Sequence, residues 1–424
     1  VVRFLHTADW QIGMTRRFLE PEAQARFTAA RAEAVREVGR VAVEQRCDFV
    51  VVCGDVFESN HLTGQTVRRA LEALRSVPVP VYLLPGNHDP LDAASIYRSD
   101  VFAQERPAHV HVLDTAGAHE VTPGVELVAA PWESKHPGRD LVGEALMTLP
   151  EGPAPEGVVR VLVGHGGVDD FDPEWRDAAT IRTGPLTAAL DEGRVHYVAL
   201  GDRHSFTAVA GRDDIYYPGA PEPTRETEVD PGQVLVVEVD PARTAGERVQ
   251  VAAHPVATWR FLVLDREVDS DTDLDALDAE LGALHDKDRT VVFLNLRGTL
   301  GVAQHARLEQ VRERHRDHLG ALVEREQHRE VSVVSEEEVW RDLGLGGYLA
   351  SAVDQIQGQA QGSAAEDAEV DPLADRAGRS ALRREGRAVG GKEPRRGFVV
   401  GRADDDESAR DALSLLYRLS RSRS

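Results

Sequence analysis

Short apolar runs alternate along the first 200 residues with longer stretches whose apolar positions recur every three or four residues. The short runs are 3–5, 49–53, 81–84, 126–130, 159–163 and 196–200, and their length and lack of alternation predict strands buried on both faces. Residues 22–45 and 67–74 carry helical spacing, so the chain opens β-α-β-α-β, the order of a sheet covered by helices. After residue 202 the runs shorten to 207–210, 215–217, 234–239 and 249–252, separated by turn residues such as Gly211-Arg212-Asp213-Asp214. This spacing predicts an antiparallel meander closing a first domain, 1–255. Beyond it, strand-like 261–265, 290–296 and 331–334 alternate with an acidic helix at 271–284 and a charged one at 306–322, a small α+β domain at 256–345. Ser335 and Glu338 are spaced as a capping box. Residues 346–424 read as a flexible tail: 355–397 hold few large apolar side chains, and 407–419 set Ala409, Leu413, Leu416 and Leu419 on one helical face that needs a partner.

The 424 residues contain no apolar run near the ~20 needed to span a membrane, and the opening residues read as a strand without signal-peptide features. The expectation is a cytoplasmic chain with no membrane partner. Cys47 and Cys53 flank a strand and lie too far apart for a disulfide, which points to a reducing compartment and excludes a cysteine-based zinc site. The net charge of −23 opposes a polyanionic partner, so contact with nucleic acid needs a local basic patch or bound cations. Arg16, Arg17, Arg203 and Arg225 are the candidate DNA- or phosphate-binding side chains, against the ordinary alternative of solvated surface arginines.

Polar residues cluster where the apolar runs end. Asp9 and Gln11 follow the first, Asp55 the second, Gly86-Asn87-His88-Asp89 the third, His165 a later one, and Asp202 and His204 another. A Gly-Asp pair after a strand is usually only a turn, but five such ends with ligand-type residues can converge, because open α/β sheets gather ligands at strand carboxyl ends. Carboxylates, an amide and imidazoles in that number suit a pair of divalent ions, with Asp55 as the bridging group. His6, inside the first strand, and Trp10 read as core residues.

The stretches Phe4-Leu5-His6-Thr7-Ala8-Asp9, Gly54-Asp55, Gly86-Asn87-His88-Asp89, Gly164-His165 and Gly201-Asp202-Arg203-His204, followed by Tyr217-Pro218-Gly219-Ala220-Pro221, resemble the calcineurin-like binuclear metallophosphoesterases, more narrowly their SbcD nuclease branch. The resemblance covers residues 1 to about 240. It implies a four-layer α/β (α+β) metallophosphoesterase β-sandwich flanked by helices, with a small α+β cap that binds DNA. It implies one metal on Asp9, Gln11, Asp55 and His204, a second on Asp55, Asn87, His165 and Asp202, and His88 as the catalytic proton donor. Implied partners are DNA ends, an SbcC-like ATPase anchored by the tail, and a second copy in a homodimer.

Two positions depart from the family pattern, which has histidine where this chain has Gln11 and Asp202. Both exchanges replace nitrogen by oxygen, favouring Mn²⁺, with Mg²⁺ as alternative, over Zn²⁺. The expected function is a metal-dependent DNA exonuclease in double-strand-break repair. The alternatives are a non-catalytic DNA-end scaffold and a small-nucleotide phosphodiesterase.

Overall fold

The computed structural model describes residues 1–171, 177–324 and 329–334. The Ser335–Glu338 box, the linker and the 407–419 helix lie outside the described residues. Each apolar run of the first 200 residues becomes a strand: β1 (Val2–Thr7), α1 (Pro21–Glu44), β2 (Phe49–Cys53), α2 (Gly64–Arg75), β3 (Val81–Leu84), α3 (Asp100–Glu105), β4 (Val110–Val112), β5 (Gly117–Thr122), β6 (Val125–Ala129), α4 (Leu141–Met147), β7 (Val159–His165), α5 (Thr183–Asp191) and β8 (Tyr197–Gly201) follow one another. Then come β9 (Thr207–Ala208), β10 (Ile215–Tyr217), β11 (Gln233–Val239), β12 (Val249–Pro255), β13 (Arg260–Glu267), α6 (Asp271–Ala283), β14 (Thr290–Gly301), α7 (Val302–Arg316), β15 (Ala321–Val323) and β16 (Arg329–Val334).

Two mixed six-stranded sheets form, in the orders β12-β11-β1-β2-β3-β4 and β5-β6-β7-β8-β10-β9. The expected α/β sandwich flanked by helices is therefore present. The expected meander after residue 202 is corrected: its strands divide between the sheets, β9 and β10 joining one, β11 and β12 closing the other against β1 with Val2 opposite Val239. Alternation within the strands builds the layers. Phe4, Phe49 and Val51 point into the core between the sheets with Val161, Tyr197 and Val237, whereas Leu5, Val50 and Val52 face Val38 of α1 and Leu71 of α2. On the outer face of the second sheet Leu162 and Val198 pack against Leu146 of α4 and Leu190 of α5. Two-sided burial explains why these strands carry few polar positions. The sheets are in close contact at Gly201, where a Cβ would lie 1.7 Å from the Cys53 carbonyl oxygen.

The chain divides into two compact units. The first is Val1–Val263 with Asp286–Phe293 and Leu319–Val323; the described part of the second is Leu264–His285, Leu294–His318, Glu324 and 329–334. Within the first unit, Phe27, Trp259, Phe261 and Phe293 make an aromatic cluster, and β14 runs parallel to β15. In the second, β14 pairs with β16, and Arg307 of α7 bonds Asp271 and Asp275 of α6. The charged helix starts earlier and ends sooner than its sequence pattern suggests, at Val302 and Arg316, giving way to β15. Among the described residues no helix is long and apolar enough to cross a membrane.

Candidate metal centre

β1, β2 and β3 of one sheet and β7 and β8 of the other end on the same cleft, so the sequence-derived ligands converge across both sheets rather than along one. The turns after these strands need unusual backbone: among the described residues eight non-glycine positions have positive φ, and four are Asp9 (54°), Gln11 (44°), Asp55 (53°) and Asp202 (99°). Such strain persists where surrounding structure over-determines it, as at functional sites. The turns are tied together, the Asp9 amide donating to Gly54 O (3.1 Å) and Gln11 N to Asp55 O (2.8 Å). Gly54 is required for close approach, since a Cβ there would meet His165 Nδ1 at 2.1 Å.

Two subclusters result. His165 Nε2 lies 3.3 Å from Asp55 Oδ1, 3.2 Å from Asn87 Oδ1 and 3.7 Å from Asp202 Oδ1. His204 Nε2 lies 3.8 Å from Asp9 Oδ1 and 3.1 Å from the Gln11 side-chain nitrogen. Asp9, Asp55 and His165 each present a donor atom within 4.8 Å of the others, which links the subclusters. All three are buried, and among the described residues neither carboxylate pairs with a lysine or arginine. Buried carboxylates whose nearest cations are imidazoles are costly to keep charged once those imidazoles lose their protons, and a metal cation would relieve that cost. Gln11 supports the fit from this chain's own chemistry, because its buried Oε1 has no hydrogen-bond partner and a cation would supply one. The donors are mostly oxygen, which suits hard divalent ions.

Each imidazole is held by its second nitrogen, a device that fixes tautomer and orientation. His165 Nδ1 donates to Cys53 O (2.8 Å), His88 Nδ1 to Glu58 O (3.0 Å), and His204 Nδ1 to Glu228 Oε1 (3.1 Å) and Thr224 Oγ1 (2.7 Å). The roles of Glu228 and Thr224 are not visible in the sequence, where they are two polar residues of an aperiodic loop. Asp89 is buried under the turn, accepting from Gly86 N, Phe57 N and Tyr97 Oη. His88 stands apart from the buried donors: its side chain is 38% exposed in the cleft, with Nε2 3.9 Å from Asp55 Oδ2. As expected, His6 is a core residue, accepting from Tyr197 Oη and donating to Leu200 O, and burial drives it down to about 3. Trp10 is likewise buried, its indole bonded to Thr7.

The cleft above this floor has a volume of about 520 Å³, and Arg16, Arg203 and Arg225 line it. Among the described residues none of the three pairs with a carboxylate; Arg16 donates to Thr224 O, and Arg203 to Thr207 Oγ1. Arg17 is exposed and does not line the cleft.

Burial raises the Asp9 carboxyl to about 7, with Asp55 and Asp202 adding to it and the two imidazoles opposing. Burial would depress His165, but Asp55, Asp202 and Asp9 outweigh it and raise the imidazole to about 9. Both folded-state values exceed the unfolded ones, so these groups stabilise the metal-free fold below about pH 4 for Asp9 and 6.5 for His165, and that contribution disappears as pH rises through 7 and 9. A metal must displace the same protons. Mn²⁺ titration calorimetry at pH 7 in buffers of different ionisation enthalpy is therefore expected to register release of one to two protons, with affinity tightening about tenfold per pH unit for each. Melting in chelator is expected at lower temperature at pH 8.5 than at 6.5. Proton-neutral binding with pH-independent affinity would refute this account.

The family model for calcineurin-like phosphoesterases matches residues 2–206. The DNA double-strand break repair protein Mre11 of Methanosarcina mazei is 25% identical over 284 residues, covering 64% of this chain and 40% of that protein. The SbcD component of the nuclease SbcCD from Rhodobacter capsulatus is 33% identical over 119 residues, 27% of each chain, and its counterpart in Bacillus subtilis 31% over 98 residues, 22% of this chain and 24% of that one. The matched stretches span less than half of each relative. Mre11 proteins and SbcD components both occur among them, so the SbcD branch is not singled out.

Proposed function

From the match of residues 2–206 to the calcineurin-like phosphoesterase family and the similarity to Mre11 and SbcD nucleases, we propose that the chain is a metal-dependent DNA exonuclease, the nuclease component of an SbcCD-like complex. The observation that carries this reading is the set of buried carboxylate, amide and imidazole donors that, among the described residues, lack lysine or arginine partners, on the floor of a cleft lined by three arginines that pair with no carboxylate. Asp9, Gln11, Asp55 and His204 would hold one divalent ion, and Asp55, Asn87, His165 and Asp202 a second; the oxygen-rich set favours Mn²⁺ or Mg²⁺. Bound there, the ions would supply Lewis-acid polarisation of the phosphoryl group and acidify water.

The remaining work falls to side chains. Arg16, Arg203 and Arg225 place positive charge where the phosphate backbone enters, which offsets locally the repulsion expected from the net charge of −23. His88, fixed through Nδ1 and exposed through Nε2, is positioned to give a proton to the leaving oxygen. Residues 256–345 are proposed as the DNA-binding cap, residues 407–419 as the anchor for the ATPase partner, and the assembly as a homodimer.

A second reading, the non-catalytic scaffold, is favoured by one contact: the Gln11 amide nitrogen occupies the lone pair of His204 Nε2. Assays on linear duplex and single-stranded DNA with Mn²⁺, Mg²⁺ or chelator separate the two. Wild-type cleavage is expected to require the metal and to fall about 10²–10⁴-fold in His88→Ala. If cleavage appears only after combining Gln11→His with Asp202→His, the scaffold reading replaces the nuclease.

A further inference from the structure

Past Asn87 and Asp202, which wall the metal cleft, a second recess of about 310 Å³ opens on the side of the β7 end. Its back is Trp132, whose indole N–H donates to His165 O (2.7 Å) and whose ring stands edge-on to the His165 imidazole at 6.0 Å, so the wall is braced against the metal centre itself. Gly166 and Gly167 give it a floor without side chains.

The rim carries one lysine ammonium that the rest of the fold leaves unused. Lys135 and His136 are exposed and, among the described residues, make no hydrogen bond or ion pair. The nearby glutamates, Glu133 of the same loop and Glu144 of α4, are already matched, because Arg139 binds both at 2.9 Å. Two carboxylates also line the recess: Asp177, which accepts from Ala179 N (2.9 Å), and Asp202, which faces His165 and belongs with the proposed metal ligands. Lys135 is one of only three lysines in a chain of net charge −23, so an unpaired ammonium beside the cleft is a marked local exception to the overall field.

Resting on the phosphodiesterase reading above, we infer that this recess seats the phosphate adjacent to the scissile one in a nucleic-acid strand, with Lys135 as its charge contact and Trp132 as its rigid wall. A recess that shares Asn87 and Asp202 with the metal cleft is placed to take the next unit of a polymer. An isolated diester fills only the cleft, so the recess favours strands over small diesters.

The test follows binding of a fluorescent pentathymidylate to the His88→Ala protein with Mn²⁺ over a salt titration, with and without Lys135→Ala. Losing one phosphate contact is expected to reduce the slope of log affinity against log salt by about 0.7, and Lys135→Arg is expected to restore it. An unchanged slope, or no oligonucleotide binding by the parent protein, overturns the inference. In the His88-containing enzyme, Lys135→Ala is expected to lower kcat/KM for a trinucleotide about fivefold more than for bis(4-nitrophenyl) phosphate; equal losses also overturn it. Failure of wild type to hydrolyse either substrate would instead defeat the phosphodiesterase reading, while the salt slope still decides the recess.

Discussion

Asp55→Asn is expected to abolish hydrolysis, lowering turnover at least about 10³-fold, equivalent to about 4 kcal/mol of barrier. The substitution isolates charge from shape. Asparagine keeps the volume and the Oδ1 that accepts from His88 N (2.9 Å), so the turn carrying His88 stays in place. What disappears is one carboxylate charge beside His165, in the group that Asp55 forms with Asp9 and His165. Mn²⁺ affinity should fall with activity, and melting in chelator at neutral pH should fall as well, because the His165 imidazolium loses the carboxylate that most stabilises its charge. A variant that keeps more than a tenth of wild-type turnover, or loads Mn²⁺ as the parent does, would remove Asp55 from the centre of the site.

Gly201→Ala is expected to be the most damaging of single-methyl additions. The new Cβ would lie 1.7 Å from Cys53 O and 2.9 Å from Ala8 Cβ, both in strand ends that cannot retreat without opening the contact between the sheets. A loss on the order of 4 kcal/mol or more follows, enough to lower the melting temperature by about 10 °C or to prevent soluble expression. Gly184→Ala is the control: no atom lies within 4 Å of its added methyl, and alanine at the start of α5 should be neutral or mildly stabilising. Equal melting temperatures for the two variants would mean that the sheets do not meet as described.

The parts of the fold legible in the sequence are those in which burial is two-sided. Runs such as 49–53 can be nothing but central strands, and α1 and α2 show their apolar faces plainly. Elements with one wet face or few residues escape notice: β5 is Gly117–Thr122 with every second residue exposed, β4 has three residues, and α4 and α5 are two turns or slightly more. The division of 207–255 between two sheets is invisible for a different reason, since strand pattern reports burial and not the identity of the neighbour. At the candidate site, the strand-end positions of Asp9, Asp55, Asn87, His165 and Asp202 are readable because turn residues interrupt apolar runs there. Glu228 and Thr224 are not, because their importance lies only in reaching His204 from a loop 20 to 24 residues further on.

The strand order has a consequence for how the chain is made. The sheet β5-β6-β7-β8-β10-β9 is continuous in sequence, whereas β1 waits for β11, with Val2 opposite Val239. At ribosomal rates of about 5–20 residues per second, the first strand spends roughly 12–50 s with one edge bare before its partner is synthesised. The nascent chain therefore passes through a state in which the last ligand, His204, has been translated but the sheet that orients Asp9 is still unclosed. Holdase protection during that interval should add to the stability of the finished protein in setting how much active product a cell recovers.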